Sequence, residues 1–99
     1  MPVGVQLDFK GATLDQYDDV LEATGFLPGG PTGPMALFHW VAKTEEGIRI
    51  VDVWESVEAF EEFTRTRGSD AFADAGVSEP PQIQFFEVHN YLTGGRPRR

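Results

Sequence analysis

Four segments of the chain have hydrophobic patterns typical of β-strands: the first alternates hydrophobic and polar residues, and the others carry hydrophobic residues on both faces. They cover residues 3–9, 35–43, 48–55 and 82–92, and a turn at 44–47 joins the middle pair. Residues 26–34 hold three prolines and three glycines, which predicts an irregular connector or a lid over a pocket. That segment lacks the Lys-Ser/Thr that completes a phosphate-binding loop.

Two other segments repeat their hydrophobic residues with the period of an amphipathic helix. The first follows Thr13, which has the capping-box spacing with Gln16, and Gly25 is its natural end. The second, VEAFEEFTRTRG, follows Ser56 as its N-cap and ends at Gly68.

A further short helical turn is predicted for SDAFADAG, residues 69–76. Ser69 or Asp70 would cap its start, and Gly76 would end it.

The predicted order is therefore strand, helix, strand, strand, helix, strand. This is the ferredoxin-like βαββαβ plan of the α+β class, in which a four-stranded antiparallel sheet carries two helices on one face. We expect one domain over residues 1–95 and a basic C-terminal tail, RPRR, at 96–99.

Both faces of the predicted sheet are hydrophobic. In the central hairpin one face carries Leu37, Val41, Ile50 and Trp54, and the other carries Phe38, Trp40, Val51 and Val53. Two helices cover one face only, and a soluble monomer seldom exposes an apolar patch as large as the other face. The sequence predicts a homodimer in which a second sheet packs on the first and forms a dimeric α+β barrel. A monomer with an unusually hydrophobic sheet is the alternative.

Composition narrows the classes of function. The 99-residue chain has no cysteine, which rules out disulfides and thiolate metal sites and fits a cytoplasmic protein. Its formal charge of −8 disfavours nucleic acid and anionic membrane surfaces as partners. No hydrophobic run approaches the roughly 20 residues of a membrane span.

The hairpin FHWVAKTEEGIRIVDVWES places two titratable side chains, His39 and Asp52, among aliphatic residues. If the turn closes symmetrically, the two lie directly opposite each other, with β-carbons roughly 5 Å apart and within reach of a hydrogen bond. A one-residue bulge would instead send them to opposite faces. In the functional interpretation Asp52 orients His39, a general base that removes a phenolic or α-carbonyl proton. A purely structural hydrogen bond is the competing interpretation.

The functional interpretation also predicts a pocket for a small apolar or aromatic ligand beside this pair. Its candidate walls are Trp54 on the hairpin, Phe60 and Phe63 on the second helix, and Tyr17 on the first helix. Aromatic residues at such positions also serve simply as core. No metal site is expected, because His39 and His89 are far apart in sequence and show no metal-binding spacing.

The order of elements, the chain length and above all the segment IVDVWESVEAFEEF, residues 50–63, resemble the dimeric α+β barrel superfamily of the antibiotic-biosynthesis-monooxygenase type. The resemblance implies a dimer whose ligands lie between the sheet and the helices of each subunit. That superfamily includes cofactor-independent oxygenases of aromatic polyketides, haem-degrading enzymes, small polyketide cyclases and members without an established activity.

The chain departs from that superfamily at positions that bear on cofactors. Haem-degrading relatives end a motif similar to SDAFADAG with an iron-binding histidine, where this chain has Gly76. Many monooxygenase-like members have a histidine at the position of Phe63, and the small plant cyclase has its catalytic histidine after the second helix, where this chain has none. Since no nucleotide-binding fingerprint is present either, we expect no haem, flavin or nicotinamide.

Two functions therefore stay open at the level of sequence. The first is a cofactor-free enzyme of monooxygenase-like or cyclase-like type that abstracts a proton from an aromatic or polyketide-like substrate. The alternative is a non-catalytic binding or assembly module of the same fold. An open cavity that reaches His39 would favour the enzyme, and a space filled by Trp54 and Phe63 would favour the module.

Overall fold

The computed structural model describes residues 2–27, 29–30, 32 and 36–93. That part of the chain forms the strands β1 (Val3–Lys10), β2 (Phe38–Lys43), β3 (Gly47–Trp54) and β4 (Gln82–Glu87) and the helices α1 (Leu14–Thr24), α2 (Val57–Phe63) and α3 (Ser69–Asp74). A π-helical segment, Thr64–Gly68, joins α2 to α3.

The strands form one antiparallel sheet in the order β2-β3-β1-β4. The helices pack on one face, which we call the inner face, and bury alternate residues of the two central strands. These residues are Val3, Val5, Leu7 and Phe9 of β1 and Ile48, Ile50, Asp52 and Trp54 of β3. The predicted ferredoxin-like α+β fold is confirmed.

Helix α1 begins and ends as predicted. The Thr13 hydroxyl accepts a hydrogen bond from the Gln16 N–H, and the Gln16 side chain accepts one from the Thr13 N–H, so the capping box is complete. At the other end Gly25 adopts φ 86° and donates to carbonyls of the last turn. Glycine reaches this left-handed conformation without strain, so it terminates the helix cleanly.

The second helical region is longer than predicted. Gly68 has helical dihedrals, φ −66° and ψ −48°, so the chain continues from α2 through the π-helical segment into α3. The predicted caps Ser69 and Asp70 are wrong, because no side chain caps the start of α3. A glycine ends a helix when it turns left-handed, and inside a helix it only costs about 0.5–1 kcal/mol relative to alanine. Gly76, with φ 93°, does end the region as predicted.

The hairpin has the predicted register. His39 lies opposite Asp52 and no bulge intervenes between β2 and β3. The turn between Lys43 and Gly47 is held by a bond from the Gly47 N–H to the Thr44 hydroxyl, 3.1 Å. A β-carbon at Gly47 would lie 1.9 Å from the Phe9 carbonyl oxygen, so only glycine fits where β3 starts beside β1.

Two predicted strand boundaries are corrected. Strand β2 begins at Phe38, and Met35, where it was expected to begin, lies outside the described residues. Strand β4 ends at Glu87 and does not extend to residue 92. Its partner β1 begins at Val3, so the last bond available is from the Val88 N–H to the Pro2 carbonyl. The predicted tail at 96–99 also lies outside the described residues.

The opposite side of the sheet, which we call the outer face, carries no helix among the described elements. It presents large hydrophobic side chains, with Trp40 42% exposed and Phe86 50% exposed. One end is polar and holds Asp8 and Arg49. No helix in the described part of the chain has the length and hydrophobicity needed to cross a membrane.

Candidate functional site

A cavity of about 860 Å³ lies between the inner face of the sheet and the helices, partly open to solvent. This volume is in the range of pockets that enclose small organic ligands. All six side chains singled out from the sequence line it: Tyr17, His39, Asp52, Trp54, Phe60 and Phe63. Residues of the Pro/Gly-rich connector that the structure describes, among them Phe26, Leu27 and Thr32, line it as well.

Asp52 is the most buried polar residue of the cavity wall, with 4% of its surface exposed. Its Oδ1 lies 2.5 Å from Nδ1 of His39, its neighbour across the hairpin. Its Oδ2 accepts a hydrogen bond of 3.1 Å from the indole N–H of Trp54, two residues along the same strand. Both carboxylate oxygens are therefore satisfied within the sheet, which offsets much of the cost of burying the group.

Tyr17 extends this network from the helix layer. It lies on α1, is buried, and its hydroxyl is hydrogen-bonded to Nε2 of His39. The two rings are nearly parallel, at an angle of 12° with centroids 5.9 Å apart. The chain of contacts therefore runs Trp54, Asp52, His39, Tyr17. The sequence placed Tyr17 among the candidate walls but did not determine its contact with His39.

The protonation pattern follows from these contacts. Burial raises the pKa of Tyr17 to about 12, and the nearby charges of Asp52 and Asp18 contribute to the rise. Tyr17 is therefore a neutral phenol at neutral pH. With Nδ1–H of His39 donating to the Asp52 carboxylate, Nε2 is left as the acceptor for the Tyr17 hydroxyl.

Aromatic rings form a connected wall beside this network. Trp54 packs against Phe60 edge-on, with centroids 5.7 Å apart, and against Phe63 at 5.5 Å. Phe60 continues the contact to Phe85 of β4 at 5.8 Å. Edge-to-face and tilted pairs are favourable arrangements of aromatic rings, so the wall is held in place and still leaves the cavity open.

The charge of the cavity wall is acidic. The lining includes the carboxylates of Asp18, Asp52 and Glu79, and no lysine or arginine among the residues that the structure describes. Arg67 contacts two lining residues from outside: its guanidinium donates to the Thr24 carbonyl and lies 5.9 Å from the Phe63 ring centroid. A negative potential in a concave apolar site opposes anionic ligands.

No three His, Asp or Glu side chains converge as a metal site within the described ranges. The short polar cluster of Gln6, Asp8 and Arg49 lies on the outer face and does not reach the cavity. The strand alternation of β1 places Gln6 and Asp8 on the side of the sheet that faces away from the cavity.

Comparison with known proteins identifies the architecture. No family profile matches the sequence, and no curated protein matches it significantly. Solved structures do match. A protein assigned as an antibiotic biosynthesis monooxygenase from Chloroflexus aurantiacus J-10-fl is 21% identical with a TM-score of 0.61, covering 95% of this chain and all of the other.

Two further matches come from Streptomyces. The monooxygenase ActVA-Orf6 of Streptomyces coelicolor, solved in complex with nanaomycin D, is 20% identical with a TM-score of 0.54, covering 95% of this chain and 92% of the other. A variant of SnoaB, a cofactor-independent oxygenase from Streptomyces nogalater, is 15% identical with a TM-score of 0.55, covering 94% of this chain and 96% of the other. The resemblance noted in the sequence is thus confirmed at the level of fold: the chain has the ferredoxin-like α+β architecture of antibiotic-biosynthesis-monooxygenase-like structures.

Proposed function

We propose that the protein is a small-molecule enzyme that deprotonates a neutral aromatic substrate with the His39–Asp52 pair, without a cofactor. The observation that carries this proposal is the hydrogen bond between the partly buried His39 and the buried Asp52 at the wall of an open, aromatic cavity. An imidazole held by a carboxylate is suited to general-base catalysis near neutral pH. The substrate stacks against Trp54, Phe60 and Phe63.

The substrate class follows from the cavity wall. Its aromatic rings favour a planar, electron-rich ligand, and its three carboxylates disfavour a ligand that bears a carboxylate or a phosphate. A neutral polyphenol or a phenolic polyketide satisfies both conditions. Removing one proton from such a compound yields a delocalised anion, and the imidazolium of His39 beside Asp52 balances its charge.

Oxygenation is the reaction that we assign to this anion. The anion transfers one electron to dioxygen, and the resulting radical pair combines to form a carbon–oxygen bond para to the phenolate. The peroxide takes a proton from the His39 imidazolium and then loses water to leave a carbonyl. One phenol and one dioxygen thus give one quinone and one water. The similar fold of SnoaB, a cofactor-independent oxygenase, supports oxygenation over cyclisation.

The test uses 1,8-dihydroxyanthrone, a neutral tricyclic compound whose enol form is a phenol. The purified protein should accelerate its conversion to 1,8-dihydroxyanthraquinone above the autoxidation blank, with one dioxygen consumed for each substrate. A metal chelator should not change the rate. His39→Gln should lower kcat by about 10²-fold or more, as expected for loss of a general base.

A matched variant separates catalysis from general damage. His89→Gln changes the other histidine, which lies outside the cavity lining, and should leave the rate unchanged. If the wild-type protein binds the anthrone but does not accelerate its oxidation, the non-catalytic binding module is the correct function.

The proposal includes a homodimer formed through the outer face. Trp40 and Phe86 leave an exposed hydrophobic area there, and a second copy of the same sheet is the partner that covers it most simply. A stable interface of this kind buries upwards of ~1,200 Å² in total.

Sedimentation equilibrium measures this assembly directly. The wild type should sediment at micromolar concentration as a species of twice the 11.0 kDa chain mass. Phe86→Glu should dissociate it, whereas Leu14→Glu, at a similarly exposed residue on α1, should not. A wild-type mass of 11.0 kDa would show that the outer face is not a dimer interface.

A further inference from the structure

We infer that Tyr17, rather than His39, is the catalytic residue that contacts the substrate, and that it passes its own proton to His39 as it accepts the substrate proton. This inference rests on the proposed function and specifies how the base acts.

Both ring nitrogens of His39 already have hydrogen-bond partners. Nδ1 is hydrogen-bonded to Asp52 and Nε2 to the Tyr17 hydroxyl. A substrate could reach Nε2 directly only if the Tyr17 hydroxyl moved away. Tyr17 is buried on the second turn of α1, a helix with a complete N-terminal capping box. Direct access to His39 would therefore require displacing a packed aromatic side chain.

The Tyr17 oxygen, in contrast, can still accept a hydrogen bond. A phenol has one hydrogen and two acceptor positions. Tyr17 uses its hydrogen toward His39, so its oxygen still offers an acceptor position. Since Tyr17 lines the cavity, a substrate hydroxyl can donate to it there. The network thus presents an acceptor oxygen to the ligand, in place of the imidazole nitrogen.

The raised pKa of Tyr17 determines the order in which the protons move. With its pKa raised to about 12, Tyr17 is a poor acid, so a free tyrosinate does not form near neutral pH. Tyr17 therefore serves as a base only if its own proton leaves for His39 while the substrate proton arrives. Asp52 stabilises the imidazolium that results, and Trp54 holds the second oxygen of Asp52 in place.

Two protons move in this step, and each bond that breaks is matched by a bond that forms. The substrate O–H bond breaks and a new O–H bond forms on Tyr17; the original Tyr17 O–H bond breaks and an N–H bond forms on Nε2 of His39. A neutral phenol, a neutral tyrosine and a neutral histidine become a phenolate, a neutral tyrosine and an imidazolium. The reverse sequence returns the proton after the reaction with dioxygen.

The competing account is that the Tyr17 hydroxyl merely holds His39 in position. The two accounts differ in what removal of the hydroxyl does. In the relay, Tyr17→Phe breaks the path of the proton, and kcat for 1,8-dihydroxyanthrone should fall by about 10²-fold with KM changed by less than about threefold. If the hydroxyl only positions His39, removal exposes Nε2 to the substrate and most of kcat remains.

Tyr91 provides the matched control. It is the other tyrosine of the chain and does not line the cavity, so Tyr91→Phe should retain wild-type kcat. The Tyr91→Phe background also leaves Tyr17 as the single site at which a tyrosine analogue is incorporated. With 3,5-difluorotyrosine at Tyr17, whose phenol is more acidic, the alkaline limb of the kcat/KM profile should move to lower pH. An unchanged profile would overturn the relay.

A binding measurement separates failure of the relay from failure of the proposed function. The probe is 2-naphthol, added to protein labelled with ¹³C at tyrosine Cζ and ¹⁵N in the histidine rings. The relay predicts that the Tyr17 Cζ resonance shifts on binding while Nε2 of His39 keeps its hydrogen bond to Tyr17. Loss of that bond on binding would overturn the relay even in a protein that oxidises the anthrone. If the anthrone is not oxidised, this binding result alone decides the relay.

Discussion

Two carboxylates of the sheet are held in nearly the same way on opposite faces. Asp52 on the inner face receives His39 from the neighbouring strand at one oxygen and Trp54, two residues away, at the other. Asp8 on the outer face receives Arg49 from the neighbouring strand at Oδ1, with a longer contact of 3.5 Å to Oδ2, and Gln6, again two residues away, at Oδ2. In both cases the carboxylate and its basic partner are direct cross-strand neighbours.

The two clusters differ in what covers them. The helices bury Asp52, whereas the Asp8 side chain is 27% exposed and that of Arg49 is 43% exposed. Only the inner cluster acquires a fourth member, Tyr17, because α1 packs over that face. The comparison indicates that strand pairing alone assembles a carboxylate with two partners. A covering layer turns it into a more strongly desolvated network with a further member.

The largest expected difference between the clusters concerns removal of the carboxylate. Asp52→Ala leaves the Nδ1–H of His39 and the indole N–H of Trp54 without an acceptor, which should lower the free energy of unfolding by about 3 kcal/mol. Asp8→Ala removes a partly exposed ion pair and should cost less than about 1 kcal/mol. Urea unfolding of both variants measures the contrast. Equal losses would show that burial does not distinguish the two sites.

The second difference is the sensitivity of stability to alkaline pH, which Tyr17 gives to the inner cluster. Folding raises the pKa of Tyr17 from 10.0 to about 12. The stability that depends on its neutral form is therefore complete below pH 10 and is lost as the pH rises through 12. A rise of this size corresponds to a few kcal/mol in the free energy of unfolding. Wild type and Tyr91→Phe should lose stability in this window, whereas Tyr17→Phe should lose less. Parallel curves for all three proteins would contradict the assignment.

The third difference concerns the hydrogen-bond donor that each carboxylate receives from its own strand, which is Trp54 for Asp52 and Gln6 for Asp8. Trp54→Phe removes the indole donor to a buried charge and keeps an aromatic ring, so we expect a loss of about 1–3 kcal/mol in the free energy of unfolding. Gln6→Ala removes the equivalent donor on the outer face and should change stability by less than about 0.5 kcal/mol. Chemical denaturation gives both values, and a larger loss for Gln6→Ala would reverse the comparison.

The smallest expected effect is the acid response of the outer cluster. The Arg49 hydrogen bond holds the pKa of Asp8 below its usual value, with smaller help from Gln6. The stabilisation that the ionised Asp8 provides is therefore present above the unfolded pKa of about 3.9. It is lost as the pH falls through the lowered pKa of Asp8 in the folded protein. Arg49→Gln should raise the Asp8 pKa in an NMR titration, and 1 M salt should weaken the effect. An Asp8 pKa that does not respond to salt would contradict the solvent exposure that distinguishes the outer cluster from the inner one.

Much of this comparison was accessible from the sequence. The alternation along β1 and β3 predicted which residues share a face, and the symmetric turn predicted that His39 opposes Asp52. Helix continuity through Gly68 was missed, because a glycine is compatible both with a helix end and with a helix interior. The early end of β4 was missed because it depends on where β1 begins, and the residues of β4 carry no signal of that position.

The sequence by itself determined the order of elements and the pairing within the hairpin, because both follow from local physics. Side chains alternate with a period of two along a strand, and a short turn sets the register of the strands that it joins. The meeting of Tyr17 with His39 was decided only by the tertiary structure. It depends on how α1 packs across the sheet, and that geometry arises from the whole core between the two layers. The same packing desolvates Asp52 and leaves the otherwise similar Asp8 in contact with solvent.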